Sequence, residues 1–224
     1  MAQPLSSSSS QDASNSETEH RVVITNKHGE ELVGLLNPVG SNEIVVLCHG
    51  FTGSKNVSMI VDLADALTKQ GIGIFRFDFS GNGESGGEFQ YANYRKEADD
   101  LHSVVLYLHQ EKYDVKAVVG HSKGKVLYRV TKESLMERLN TDMRAASASI
   151  SKECSFFTVH GSADVDIPLE DAYEFGKHIP THELRVIEGA DHCYTAHRKE
   201  LSDAVVDIIT YNKAEAGDSS LPKR

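Results

Sequence analysis

The sequence predicts an α/β fold, with a mostly parallel sheet, helices on both faces and a leading antiparallel hairpin. Three observations predict it. Short runs rich in apolar and β-branched residues recur at 44–48, 73–78, 115–119, 156–160 and 184–188. Between them lie longer stretches whose apolar residues fall three or four apart, the helical spacing. Two strand-like runs flanking His28 and Gly29 precede the alternation. Strands and helices that alternate in this way build a parallel sheet covered on both faces.

Each element follows from its residues. RVVIT (21–25) and ELVGLL (31–36) read as the hairpin, and IVVLC (44–48) as a buried strand. A helix is expected over 56–69, with Ile60, Leu63 and Leu67 on one face. GIFRFD (73–78) is the next strand. A helix over 92–110 carries Leu101, Val104, Val105 and Leu108 as its stripe. VKAVV (115–119) is another buried strand. Leu135, Leu139, Met143, Ala146 and Ile150 mark a helix over 132–150, with Thr131 as its N-cap. FFTVH (156–160), a helix over 169–179, LRVIE (184–188) and a last helix with Leu201, Val205, Ile208 and Ile209 complete the order.

Composition narrows the function. A chain of 224 residues suits one domain with its own core. With 33 acidic and 23 basic side chains the net charge is −10, which argues against nucleic acid or an anionic membrane surface as partner. The longest apolar runs, 44–48 and 104–108, are far too short to span a bilayer. Cys48, Cys154 and Cys193 are odd in number and widely spaced, which fits neither a disulfide framework nor a CxxC metal site. Residues 1–19 are Ser-rich and lack the basic start and apolar stretch of a secretory signal. The expected organisation is a disordered tail over 1–19, a domain over 20–211 and a second tail over 212–224, in a cytoplasmic protein.

In open parallel sheets, ligands sit at the carboxyl ends of the strands. Three such ends carry chemistry here. After VKAVV comes Gly120-His121-Ser122-Lys123-Gly124, a G-x-S-x-G motif in strand-to-helix context. A serine on that strained turn needs small neighbours, hence Gly120 and Gly124. After FFTVH comes Gly161-Ser162-Ala163-Asp164-Val165-Asp166, and after LRVIE comes Gly189-Ala190-Asp191-His192. Ser122, Asp164 and His192 thus form a candidate nucleophile, acid and base, each at the end of its own strand. Asp166 and His197 are the rivals. Asp164 lies nearer its strand end, and His197 is expected inside the last helix, which Asp191 would cap. An oxyanion needs preorganised amide donors. The loop His49-Gly50-Phe51-Thr52-Gly53 after strand 44–48 makes the Phe51 and Lys123 amides the natural pair, with His49 structural.

Two patterns compete. Gly81-Asn82-Gly83-Glu84-Ser85-Gly86 matches G-x-G-x-x-G, but the helical period starts only near Ala92, so the helix does not open within the turn as a dinucleotide site requires. Ser85 in that run lacks the elbow context. His178 and His182 are four apart, yet Pro180 breaks a helical presentation and no HExxH exists, so zinc is not expected.

Taken together, HGFTGSK, FRFDFSGNGES, VGHSKG, TVHGSAD and EGADHCYTAH resemble the α/β-hydrolase superfamily, and within it plant proteins of serine-aminopeptidase-like or esterase-like type. The resemblance covers about 21–210. It implies Ser122 as nucleophile, Asp164 as acid, His192 as base, and Phe51 and Lys123 as oxyanion-hole amides. One departure stands out. Relatives continue past the elbow with a further glycine, a helix, another strand and a cap. Here Gly124 is followed by KVLYRVTKESLMERL, and the stretch before Phe156 has room for one crossover only. An internal segment holding the cap and one crossover is expected to be missing. Either strand 156–160 then docks beside strand 115–119, or the sheet stays gapped and the triad does not assemble.

The expected function is serine hydrolysis of a small acyl ester, thioester or amide, with no metal and no organic cofactor. The alternative is a non-catalytic ligand-binding protein of the same fold or an inactive shortened isoform.

Overall fold

The computed structural model describes residues 19–91, 93–121 and 142–217. Five strands form the main sheet: β1 (His20–Thr25), β2 (Glu31–Asn37), β3 (Glu43–Cys48), β4 (Gly73–Phe77) and β5 (Asp114–Gly120), in the order β1-β2-β4-β3-β5. β1 and β2 make the expected hairpin, β2 runs antiparallel to β4, and β3 is parallel to both β4 and β5. Register pairs Cys48 with Phe77 on one side and with Gly120 on the other. The strand ends are therefore level, and His49, Asp78 and His121 emerge along one edge. β6 (Phe156–Gly161) and β7 (His182–Ile187) form a separate two-stranded parallel sheet, with Gly161 opposite Ile187.

Helices cover both faces of the main sheet, as the alternation predicts. On one face α1 (Ser58–Lys69) and α5 (Arg198–Gly217) bury Ile60, Leu63, Leu67, Leu201 and Val205 against Val45, Leu47 and Ile74. On the other face α2 (Tyr94–Gln110) lays Val104 and Leu108 on Val46, Phe75 and Phe77. Each fully buried side chain of this size contributes about 1.5–3 kcal/mol. Ile187, Ala190 and Tyr194 belong to the first of these cores. The small sheet is thus joined to the large one through shared apolar packing on α1 and α5.

Several boundaries differ from expectation. α2 begins at Tyr94, and α4 (Leu169–Gly176) stops short of Ile179. α5 continues to Gly217. Of the helix expected over 132–150, the described part is the single turn-and-a-half α3 (Met143–Ala148). Asp142 caps it, its carboxylate accepting the Ala145 N–H at 2.9 Å, and Ile150 lies beyond it. Thr131, Leu135 and Leu139 fall outside the described residues.

Of the two arrangements expected for the shortened segment, strand docking is not observed. Among the described residues β6 pairs with β7 alone and β5 with β3 alone. Among the described residues, no helix is long and apolar enough to cross a membrane.

Candidate active site

The candidate acid and base, Asp164 and His192, meet across the loops that follow β6 and β7. His192 Nδ1–H donates to Asp164 Oδ2 at 2.7 Å, with side-chain exposures of 15% and 6%. Asp164 and His192 meet although β5 and β6 share no ladder among the described residues. Asp164 is fixed from behind: its Oδ1 accepts the amides of Asp166 and Ile167, both at 2.9 Å. Burial opposes ionisation of this carboxyl, but the Ile167 amide, the His192 ring and the Asp166 amide outweigh it and hold the pKa below the ordinary value. The rival Asp166 is exposed and serves through its backbone. His160 Nε2–H donates to the Ile167 carbonyl at 3.1 Å and lies 3.6 Å from Asp164 Oδ2, so it braces the same turn.

Short-range constraints hold the base loop. The amides of Ser162 and Ala163 donate to the carbonyls of Ile187 and Ala190, both at 3.0 Å, extending the β6–β7 register past the strand ends. Gly189 N–H donates to Ser162 Oγ at 2.8 Å. Tyr194 adopts a left-handed φ of 52° and its hydroxyl donates to the Val159 carbonyl at 2.7 Å. Burial, with a smaller push from Asp164, raises the Tyr194 pKa to about 12, so the hydroxyl stays protonated as a donor. Asp191 does not cap the last helix. Its Oδ1 accepts the amides of Cys193 and Thr195 at 3.1 and 2.8 Å and closes the turn that carries His192. His197 sits just before α5, not inside it.

On the main sheet, His121 follows β5 and is partly buried. Its Nε2–H donates to the His192 carbonyl at 3.1 Å, and the two rings lie 5.3 Å apart. Ser122, Lys123 and Gly124 lie outside the described residues, while Gly120 closes β5. The loop after β3 is a tight, charged assembly. His49 Nδ1–H donates to the Gly50 carbonyl at 2.7 Å and Nε2 accepts the Phe79 N–H at 3.1 Å, which ties the loop to the end of β4. Thr52 has a left-handed φ of 51°, a strained place for a β-branched residue. The Phe51 ring packs edge-on against Phe89 and Tyr91, with centroids 5.5 and 5.4 Å away.

Sequence reasoning missed the centre of that assembly. Lys55 is buried, its Nζ donating to Asp78 Oδ2 at 2.7 Å and Glu84 Oε1 at 2.6 Å, while its amide donates to Asp78 Oδ1 at 2.6 Å. Burial works against the charge on Lys55, but the bonds to Asp78 and Glu84 prevail and raise its pKa. Lys55 stands in GSK and its partners in DFSGNGE, 23 and 29 residues on, so only the fold shows that they meet. The same contacts explain the glycine-rich run. Gly81 and Gly83 take left-handed φ of 74° and 53°, Gly83 against the Asp78 carboxylate and Gly81 against the backbone of Glu88 and Phe89, and the helix opens only at Tyr94. Ser85 Oγ–H donates to the Asp78 carbonyl at 2.7 Å and accepts the Val33 N–H at 2.8 Å, a structural role. His182 Nε2 meets Thr158 Oγ1 at 2.8 Å at the start of β7, while His178 faces Glu174. These two histidines share no site.

Asp164, Asp166 and His192 bring one ligand atom each within 4.8 Å of the others. Both Asp164 oxygens and His192 Nδ1 are already committed to one another or to amides. A cation would have to displace those bonds.

The fold has counterparts among solved structures. Est1E from Butyrivibrio proteoclasticus, with ferulic acid bound, superposes with a TM-score of 0.77 at 19% identity, over 86% of this chain and 99% of that one. An esterase of Pyrococcus furiosus gives 0.70 at 22%, over 87% and 92%. An α/β serine hydrolase without lid from Xanthomonas campestris gives 0.64 at 17%, over 92% and 98%. This chain has the α/β-hydrolase fold. The family model described as serine aminopeptidase, S33, matches residues 40–134, which run from β3 through the elbow. Two Escherichia coli proteins, each described as an uncharacterized 31.7 kDa protein in the traX-finO intergenic region, are 34% identical over 68 residues. That match spans 30% of this chain and 23% of the relatives' length.

Proposed function

We propose that this α/β-hydrolase-fold protein is a serine hydrolase that cleaves a carboxylic ester, thioester or amide through an acyl-enzyme. The 2.7 Å contact between His192 Nδ1 and Asp164 Oδ2 carries the reading. That bond puts the ring proton on Nδ1 and leaves the Nε2 lone pair to accept the Ser122 hydroxyl proton. Ser122 Oγ then attacks the acyl carbon, and the charge on the carbonyl oxygen falls to the Phe51 and Lys123 amides. His192 returns its proton to the leaving group. Water, deprotonated by the same ring, releases the acid. Asp164 stays ionised throughout and stabilises the imidazolium. The rings of Phe51, Phe89 and Tyr91 beside the loop favour flat, apolar acyl groups, so aryl acids such as the ferulic acid held by Est1E head the substrate panel.

A second reading rests on the separation of the β5 and β6 edges. It supports a chain that has lost an internal segment and with it the alignment of Ser122, leaving a binding protein or inactive isoform. Labelling of the folded chain with a fluorophosphonate probe, beside Ser122→Ala, decides between them. Labelling lost in the variant is expected. Equal labelling of both would remove Ser122 as nucleophile, and none in either would favour the second reading.

A further inference from the structure

The base and the elbow hang from different sheets. His192 follows β7 in the two-stranded sheet, and His121 follows β5 in the five-stranded one. Among the described residues no backbone ladder joins β5 to β6. Apolar packing through α1 and α5 joins the two sheets, but such contacts are non-directional and do not fix register to a fraction of an ångström.

His121 supplies a directional link. Its amide donates to the Cys48 carbonyl at 3.1 Å, continuing the β3–β5 pairing one residue past the strand. Its ring Nε2–H donates to the main-chain carbonyl of His192, also at 3.1 Å. The rings are tilted by 49° at a centroid separation of 5.3 Å, so the contact is edge-led and does not shield the His192 ring face to face. One residue therefore bonds to the end of β3 through its amide and to the backbone of His192 through its ring.

We propose that His121 is a positioning residue that registers His192 to the nucleophile elbow across the break between the two sheets. This deepens the hydrolase reading and rests on it for the role of His192. The donor must be uncharged, because His192 becomes an imidazolium during turnover. A neutral imidazole meets that need. Burial pushes the His121 pKa below its ordinary value, with the bond to the His192 carbonyl opposing, so the ring stays neutral beside the cation that forms. Its Nε2–H tautomer follows from the bond it makes.

The test uses the full-length protein with isotope-labelled histidine. In the wild type, a through-hydrogen-bond coupling between His121 Nε2 and the His192 carbonyl carbon is expected, and its absence in folded protein would overturn the proposal. His121→Phe keeps a ring and removes the donor, and His121→Gln keeps a short amide donor. A misplacement near 1 Å costs on the order of 10²-fold in rate, so kcat and the fluorophosphonate labelling rate should fall roughly 10- to 100-fold in His121→Phe, with KM nearly unchanged. His121→Gln should recover part of the loss. The His192 Nδ1–H resonance, expected far downfield from the bond to Asp164, should broaden in His121→Phe and persist in His121→Gln. Equal losses in both variants would assign His121 to packing alone, and an unmoved resonance with wild-type labelling would also overturn the role. A wild type inert to the probe would sink the hydrolase reading separately, since the coupling and the His192 resonance are read without turnover.

Discussion

A Cβ placed on Gly161 would lie 2.2 Å from the carbonyl oxygen of Ala190. The loops of Asp164 and His192 therefore meet at Gly161, three residues before Asp164, and Ala190, two residues before His192. Gly161 also ends β6 opposite Ile187, so the strand register delivers this approach. Gly161→Ala must push the Ala190 backbone away. Overpacking of this kind costs about 1–3 kcal/mol. Urea denaturation should show that loss, together with slower fluorophosphonate labelling. A variant as stable and as reactive as the wild type would contradict the geometry.

Asp164→Asn should separate catalysis from fold. The amide keeps the volume and an acceptor but loses the charge that fixes the His192 tautomer. In enzymes with the same constellation that change lowers kcat by roughly 10⁴-fold. A pH signature follows. The folded carboxyl titrates below its unfolded value, so its contribution to stability is present above the unfolded pKa and disappears as pH falls through the folded one. Denaturation midpoints should drop in acid for the wild type, and the drop should be smaller in Asp164→Asn. Parallel curves for the two proteins would show that another carboxyl governs acid unfolding.

The strand ends were legible because their chemistry is local. G-x-S-x-G, Asp164 and His192 each follow an apolar β-branched run, and parallel strands deliver such residues to one edge. The hairpin, β3 to β5 and both helical faces followed from the same periodicity. Features that depend on distant partners were not legible. Nothing near Lys55 in sequence announces that Asp78 and Glu84 will surround it. Asp191 reads as a helix cap from its position before an apolar period, yet the chain spends Cys193 to His197 on a turn before α5 begins. That β5 and β6 share no ladder among the described residues could not be read from chain length, which did not decide between a docked and a separate strand.

The Lys55 cluster should be a stability hotspot with unequal members. Asp78 is fully buried and Lys55 nearly so, whereas Glu84 is half exposed. Lys55→Met leaves the Asp78 carboxylate buried with amide donors only. Breaking a buried pair from one side costs about 3–5 kcal/mol. Glu84→Gln, at the solvent end, should cost less than about 1 kcal/mol. Equilibrium unfolding of both variants would check the order. Because Asp78 also anchors the loop that carries Phe51, Lys55→Met should slow acylation beyond what the lost stability explains, when both are read at a temperature where the variant is fully folded.

Ser85 offers a control that tests the choice of nucleophile. It lies in the loop after β4 and belongs to a glycine-rich run. Its hydroxyl donates to the Asp78 carbonyl and accepts from the Val33 amide. A hydroxyl that ties β2 to the loop after β4 has its proton committed to a main-chain carbonyl and, among the described residues, meets no general base. Ser85→Ala should cost about 1–3 kcal/mol by leaving a buried amide unpaired. Its labelling with a fluorophosphonate, corrected for the folded fraction, should equal that of the wild type, and mass spectrometry of the labelled peptide should place the adduct on Ser122. An adduct on Ser85, or its loss in Ser85→Ala at full folding, would move the active centre to the loop after β4.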